Sequence, residues 1–277
     1  MTINCLGQLI DLTTPKVMGI LNITPNSFYD GGQYVTEKSI LNQVEKMLME
    51  GAAYIDLGAY SSKPNAALVS EEEEIARLLP VIKSVLKHFP DTLLSIDTFR
   101  SEVAKVSLDL GAAMINDIAA GNLDDKMFET IAKYQVPYVM MHMKGTPQTM
   151  TSLTQYDNIV KEMLFYFSEK IATARSFGIN DLVVDPGFGF AKTLEHNYEV
   201  LQHLALFQTL DLPILVGVSR KSMIYKVLET NAEDALNGTT VLNTIALTKG
   251  ANILRVHDVK EAVECVKLFT STKIINY

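Results

Sequence analysis

Short apolar runs alternate with longer amphipathic stretches from residue 17 to the end of the chain. The runs are strand-sized: Val17 to Ile23, Tyr54 to Leu57, Thr92 to Ile96, Met114 to Ile118, Val136 to Met141, Leu182 to Val184, Pro213 to Val218 and Ile253 to Val256. Apolar residues at successive positions fit strands buried on both faces, as in a parallel sheet covered by helices. Between them, Ser39 to Met49, Ile75 to Leu86, Val103 to Leu110, Asn158 to Ser176 and Tyr198 to Phe207 carry apolar residues at helical spacing. Gly51, Gly111, Gly178 and Gly250 stand where helices would stop. About eight strands in βα alternation over this length predict an α/β fold, a single (β/α)8 TIM barrel over residues 1–277. An open doubly wound sheet is the competing arrangement, but the strand count fits closure and no Gly-x-Gly-x-x-Gly follows the first strand. The residues before the first barrel strand are expected to form a short β-hairpin-like extension capping the barrel bottom, with Thr13, Thr14 and Pro15 as its breaker.

Composition narrows the picture. The 277 residues are 48% hydrophobic and 20% charged, enough for one large core. No apolar stretch reaches the ~18 residues that suggest a membrane span. A net charge of -8 argues against nucleic acid as a partner. Cys5 and Cys265 have no metal-ligand spacing and the N-terminus lacks a signal-like pattern, so the cytoplasm is the expected compartment. The acidic run Glu71 to Glu74 follows Ser70, a spacing that reads as a capping box with first-turn acids suited to the helix dipole.

The candidate chemistry sits at the strand ends. Asn22, Asp56, Asp97, Asn116, Asp117, His142, Asp185, Lys221 and His257 fall at or just past the carboxyl end of an apolar run. In a barrel those ends share one face, where the βα loops build the site. The first junction, Met18 to Gly32, is the densest in polar and turn-forming residues.

Taken in order, Gly19-Ile-Leu-Asn-Ile-Thr-Pro-Asn-Ser-Phe-Tyr-Asp-Gly-Gly32, Ser95-Ile-Asp-Thr98, Ile115-Asn-Asp-Ile118, Met141-His-Met-Lys-Gly-Thr-Pro147, Asp185-Pro-Gly-Phe-Gly-Phe-Ala-Lys192, Val218-Ser-Arg-Lys-Ser222 and Arg255-Val-His-Asp-Val259 resemble the signature of the bacterial dihydropteroate synthases. The resemblance implies an enzyme that joins p-aminobenzoate to 6-hydroxymethyl-7,8-dihydropterin pyrophosphate in folate biosynthesis. Pyrophosphate would leave by a dissociative path before the amine attacks. A pterin edge needs acceptors and an amide that both gives and receives. By resemblance Asp97, Asn116 and Asp185 grip the ring, Lys221 reaches its other polar edge and Met140 packs nearby. Taken alone, Asp97 also suits a helix cap, Asp185 a turn and Asn116 a satisfied core amide.

A pyrophosphate calls for cations, N–H groups and Mg2+. Arg255 and His257 alternate with Val256 and so share one side of an extended segment. The resemblance assigns them to the anion with Ser61, Ser62 and Asn22, the last as the Mg2+ ligand. It places p-aminobenzoate among Phe28, Ser62, Lys63, Pro64, Phe190, Lys221 and Ser222, and makes Asp97, Lys221 and Arg255 the catalytic set. The second loop departs from the family: a Gly-Gly-Glu-Ser-Thr-Arg-Pro-Gly-like stretch reads Gly58-Ala-Tyr-Ser-Ser-Lys-Pro-Asn65 here. Family resemblance also implies a homodimer through the last helices, with Val263, Val266, Leu268 and Phe269 as contacts or as inward-facing positions. Two other functions share the barrel: a pterin-binding methyltransferase using methyltetrahydrofolate, and a catalytically silent pterin-binding protein. The methyltransferase leaves the Asn22 loop, the Ser219-Arg-Lys-Ser222 segment and Arg255 with His257 without a joint role.

Overall fold

The computed structural model describes residues 1–23, 37–60 and 69–274. The chain opens with an antiparallel hairpin of β1 (Thr2–Cys5) and β2 (Gln8–Asp11). Its turn residues Leu6 and Gly7 both have positive φ, +53° and +85°, the backbone that matches the twist of paired strands. Eight parallel strands follow: β3 (Lys16–Asn22), β4 (Tyr54–Gly58), β5 (Leu94–Asp97), β6 (Met114–Asp117), β7 (Tyr138–Met141), β8 (Leu182–Asp185), β9 (Leu215–Val216) and β10 (Ile253–Val256). Their spatial order is β8-β7-β6-β5-β4-β3-β10-β9, and a parallel bridge between Val184 and Ile214 joins the two ends. The sheet closes, so the fold is a (β/α)8 barrel.

The helices between the strands are α1 (Glu37–Glu50), α2 (Glu71–His88), α3 (Ser101–Asp109), α4 (Met127–Tyr134), α5 (Ile159–Ser176), α6 (Leu194–Gln202), α7 (Ser222–Tyr225), α8 (Leu236–Thr248) and α9 (Val259–Ile274). The expected helix stops hold: Gly51, Gly111, Gly178 and Gly250 all take positive φ. Other expectations change. The amphipathic stretch to Phe207 breaks at Gln202 and continues as a 3-10 turn, Leu204–Leu210. Only half of the capping box forms, since Ser70 Oγ accepts from the Glu73 N–H at 3.2 Å while the Glu73 carboxylate pairs with Arg77. Glu74 is no exposed first-turn acid; it is fully buried and paired with Arg100.

Alternation along the strands divides the core. Outward residues such as Ile55, Leu57, Ile96, Ile115, Val184 and Leu254 pack against the helices in one cluster. Inward residues at the amino ends, Met18, Tyr54, Met114, Val139, Val183, Leu215 and Ile253, form a second cluster with Ile3, Cys5 and Leu12 of the hairpin segment. Asn252 Nδ2 donates to Leu12 O at 3.2 Å and the Asn4 N–H bonds Asp181 Oδ1 at 3.2 Å, tying the hairpin down. It caps the barrel bottom as expected and leaves the carboxyl ends as the open face.

Candidate active site at the carboxyl ends of the strands

Above the apolar plug the inward positions turn polar. On β4 the inward series Tyr54, Asp56, Gly58 passes from ring to carboxylate to bare backbone, and β5 and β6 contribute Ser95, Asp97 and Asn116 in register beside it. Arg255 reaches across from β10. Its Nε donates to Asp56 Oδ2 at 2.6 Å and its Nη2 to Asp97 Oδ2 at 2.7 Å. Asn116 Nδ2 donates to the same Asp56 oxygen at 3.2 Å. One planar guanidinium thus clamps two buried carboxylates in a fixed geometry that a lysine's freely rotating ammonium does not impose.

Burial raises the Asp97 pKa to about 7, because desolvation outweighs the opposing Arg255 charge. Desolvation also works against the charge on Arg255, but Asp56 and Asp97 more than offset it and keep it cationic. Asp56 Oδ1 and Ser95 Oγ are buried without a hydrogen-bond partner. Two unsatisfied polar atoms side by side under an open face mark a place built for a polar ligand or ordered water.

The wall from β8 and β9 is held as firmly. Asp185 Oδ1 accepts the Gly187 N–H at 2.7 Å, so this carboxylate does shape its turn, yet it also lies beside Lys221, whose charge moderates a pKa raised by burial. Gly187 has φ +68°, and a Cβ there would run into the His142 carbonyl, so only glycine fits. Lys192 is buried and its Nζ reaches Gly187 O and Phe190 O, both at 3.0 Å, and His142 Nδ1 at 3.1 Å. Tyr156 OH donates to Ala191 O at 2.9 Å, and Asn197 Oδ1 takes the Gly189 N–H at 2.7 Å. The loop therefore presents Phe190 from a fixed frame, with Lys221 Nζ 5.0 Å from the Phe190 ring centroid and donating to Phe188 O. Desolvation lowers the Lys221 pKa to about 8, against the pull of Asp185. Ser222 opens α7 next to it.

His257 stands on the rim. Its Nδ1 lies 3.0 Å from Ser219 Oγ. Desolvation of that end, with the Arg255 charge adding to it, lowers its pKa to about 4, so the ring is neutral near pH 7.

Asn22 ends β3, and its Oδ1 and Asp97 Oδ2 both lie 3.7 Å from where a Cβ on Gly58 would be. Asn22, Asp97, Asn116, Asp185, Phe190, Lys221, Ser222, Arg255 and His257 all come from the carboxyl ends of the strands and the loops after them. Asp97 caps no helix, since α3 begins after Arg100 and the Asp97 carboxylate is engaged by Arg255. Phe28, Ser61, Ser62, Lys63 and Pro64 lie outside the described residues.

Three expectations are corrected. Met140 does not pack at the site: it points outward into the helix-facing cluster with Tyr138, and its neighbour Met141 lies in the apolar group at the mouth. Asp117 likewise faces the helix layer, where it accepts from Tyr138 OH at 2.6 Å and from the N–H groups of Ala119 and Gly121. His142 turns away too, its ring edge-on to Tyr166 at 4.9 Å. The cause in each case is the two-residue period of a strand, which sends neighbours to opposite faces. Sequence reasoning places Asp56 only among the strand-end polar residues and misses Tyr60. A signal for Asp56 does exist: it stands two residues from Tyr54 and Gly58 on one side of β4.

A (β/α)8 barrel with carboxylates, an amide and cations converging at its carboxyl end has the architecture of an enzyme site that offers donors and acceptors to a polar ligand. Residues 18–257 match the family described as pterin binding enzyme. The dihydropteroate synthase of Escherichia coli is 42% identical over 268 residues, covering 96% of this chain and 94% of that protein. That of Haemophilus influenzae is 41% identical over 268 residues, with 96% and 97% covered. Among solved structures, Yersinia pestis dihydropteroate synthase in complex with a sulfonamide drug has a TM-score of 0.92 at 40% identity, covering 99% of both chains. The Xanthomonas albilineans enzyme with 4-aminobenzoic acid also has a TM-score of 0.92, at 34% identity and 99% of both chains. The chain belongs to the pterin-binding enzyme family. Within that family it belongs with the dihydropteroate synthases.

Proposed function

We propose that this chain condenses 6-hydroxymethyl-7,8-dihydropterin pyrophosphate with p-aminobenzoate, giving 7,8-dihydropteroate and pyrophosphate. The observation that carries the reading is the Arg255 clamp on Asp56 and Asp97, with Asn116 joined to it and Asp185 and Lys221 on the opposite wall. Asp97, Asn116 and Asp185 match the donors and acceptors of an aminopyrimidinone edge. As the C–O bond to pyrophosphate opens, positive charge grows on the pterin methylene, and carboxylates in this desolvated mouth stabilise it. Arg255 and His257 face the departing anion. Lys221 and Phe190 position the aminobenzoate, whose neutral amine needs no strong base, so orientation is the larger task. Sulfonamides, as aminobenzoate mimics, are expected to occupy the same place.

Mg2+ fits the donor set. Asn22 offers a neutral amide oxygen at the mouth, and among the described residues there is no group of three or more His, Cys, Asp or Glu that would cage a metal. Mg2+ commonly keeps its waters and takes only one or two protein ligands beside phosphate oxygens. Asn22 would hold it, and when bound it would neutralise charge on the leaving group.

A groove between α8 and α9 is lined by Thr240, Thr244, Leu268 and Phe269, with Leu268 72% exposed, and it suits a second copy of the chain. Val266 is buried and Val263 packs toward Gly51, so these two serve the protomer's own core. The cytoplasm suits two buried free cysteines. No helix among the described residues is long and apolar enough to cross a membrane.

The test is turnover. The purified chain incubated with both substrates and Mg2+ is expected to release pyrophosphate and form dihydropteroate in equal amounts. Tight pterin binding without product would refute the assignment.

A further inference from the structure

Tyr60 stands just past the end of β4, where the family motif resembled by this chain carries a glutamate. Its hydroxyl lies 3.4 Å from Asp97 Oδ1, the oxygen that Arg255 leaves free. The ring is fixed edge-on against Phe99, with centroids 5.2 Å apart and planes at 87°. Phe99 in turn lies under the Arg100 guanidinium, 5.0 Å from ring centroid to Cζ. Arg100 is anchored twice, by the buried Glu74 carboxylate of α2 and by a 2.7 Å hydrogen bond to Val69 O. Beside Tyr60, the Ala59 carbonyl accepts from Arg77 Nη1 at 2.8 Å. The phenol is thus delivered to Asp97 by a braced frame that runs from the first turn of α2 to the end of β5. Both rings also pack on the apolar group at the mouth that includes Ile118, Met141 and Ala191.

A glutamate at this place would add a further carboxylate beside Asp97 and Asp56, whereas a phenol donates a hydrogen bond to the ionised form. With Arg255 on one oxygen and Tyr60 on the other, the Asp97 carboxylate is held in one orientation and keeps lone pairs for a further donor. We propose that Tyr60 is a positioning residue of this chain: it fixes the plane of Asp97 for pterin recognition, with a neutral donor standing where the family motif carries an acid. The inference rests on the proposed pterin role of Asp97.

A double-mutant cycle tests it. Tyr60→Phe keeps the ring and its contact with Phe99, so the fold and the melting temperature are expected to hold. Its KM for the pterin pyrophosphate should rise about three- to tenfold, as for loss of a long hydrogen bond to a charged group, while the KM for aminobenzoate stays constant. Calorimetric binding of 6-hydroxymethyl-7,8-dihydropterin alone should weaken by a similar factor. In an Asp97→Asn background, where the charge is gone, the same exchange should change pterin affinity by less than about twofold. An unchanged pterin KM in Tyr60→Phe, or an equal loss in both backgrounds, overturns the proposal. Asp97→Asn alone without any pterin defect would instead remove the reading on which it rests.

Discussion

The two ends of one barrel are built from the same strands in opposite chemistry. At the bottom, Met18, Tyr54, Met114, Val139 and Leu215 close on Leu12 and the hairpin in a plug from which water is excluded. At the top, the inward positions of β4, β5, β6 and β10 carry Asp56, Asp97, Asn116 and Arg255, charged and amide groups joined by hydrogen bonds. Burying charge disfavours folding unless it is paired, while burying hydrocarbon favours it. The bottom therefore stabilises the fold, and the top holds groups whose desolvation is useful only when a substrate arrives.

The largest effect is expected from Arg255→Met, which leaves Asp56 and Asp97 buried without a counter-charge. Turnover should fall by about a thousandfold, roughly 4 kcal/mol of transition-state stabilisation, and steady-state assays with both substrates would measure it. At the other end, Leu12→Ala should remove about 3 kcal/mol of folding free energy by opening a cavity in the plug, read by denaturant titration, with turnover unchanged. Next come two neighbours on β7. Met141→Ala should raise the pterin KM about tenfold, whereas Met140→Ala should lower stability and leave the KM alone. Equal KM effects from the two would contradict the opposite facing of these neighbours. Lys221→Ala should cost at least about tenfold in turnover, as for a lost charged hydrogen bond.

The smallest effect separates the two ends by pH. With the Asp97 pKa raised to about 7 by burial, kcat/KM for the pterin substrate should fall as pH drops below about 7, and Asp97→Asn should lose that limb. Stability should move the other way. A carboxyl whose folded pKa exceeds its unfolded value binds more protons when folded, so the ligand-free protein should gain stability from this group as pH falls from about 7 toward about 4.

Much of the barrel is legible in the sequence. The apolar runs locate the strands, the glycines mark the helix ends, and ordered motifs point to the site. Periodicity fails where it carries least signal. Residues 236–248 of α8 are rich in Thr and apolar all round, and α4 spans only Met127–Tyr134. A strand end identifies a pair of neighbours but not which one faces in. Asp97 and Asp117 occupy the same place in successive motifs, yet one meets Arg255 inside the barrel and the other Tyr138 outside. Partners far apart in sequence are invisible as well: Glu74 finds Arg100, Asp56 finds Arg255, and Lys192 finds His142. Each pair is made by packing of neighbouring elements in the fold, which sequence distance does not reveal.

The most direct test of the division between the two ends measures stability and turnover on the same preparations of Leu12→Ala and Asp97→Asn. Leu12→Ala should melt at lower temperature with a wild-type kcat, and Asp97→Asn should lose most of its turnover while melting at or above the wild-type temperature. A crippled kcat in Leu12→Ala, or a destabilised Asp97→Asn that still turns over, would contradict it.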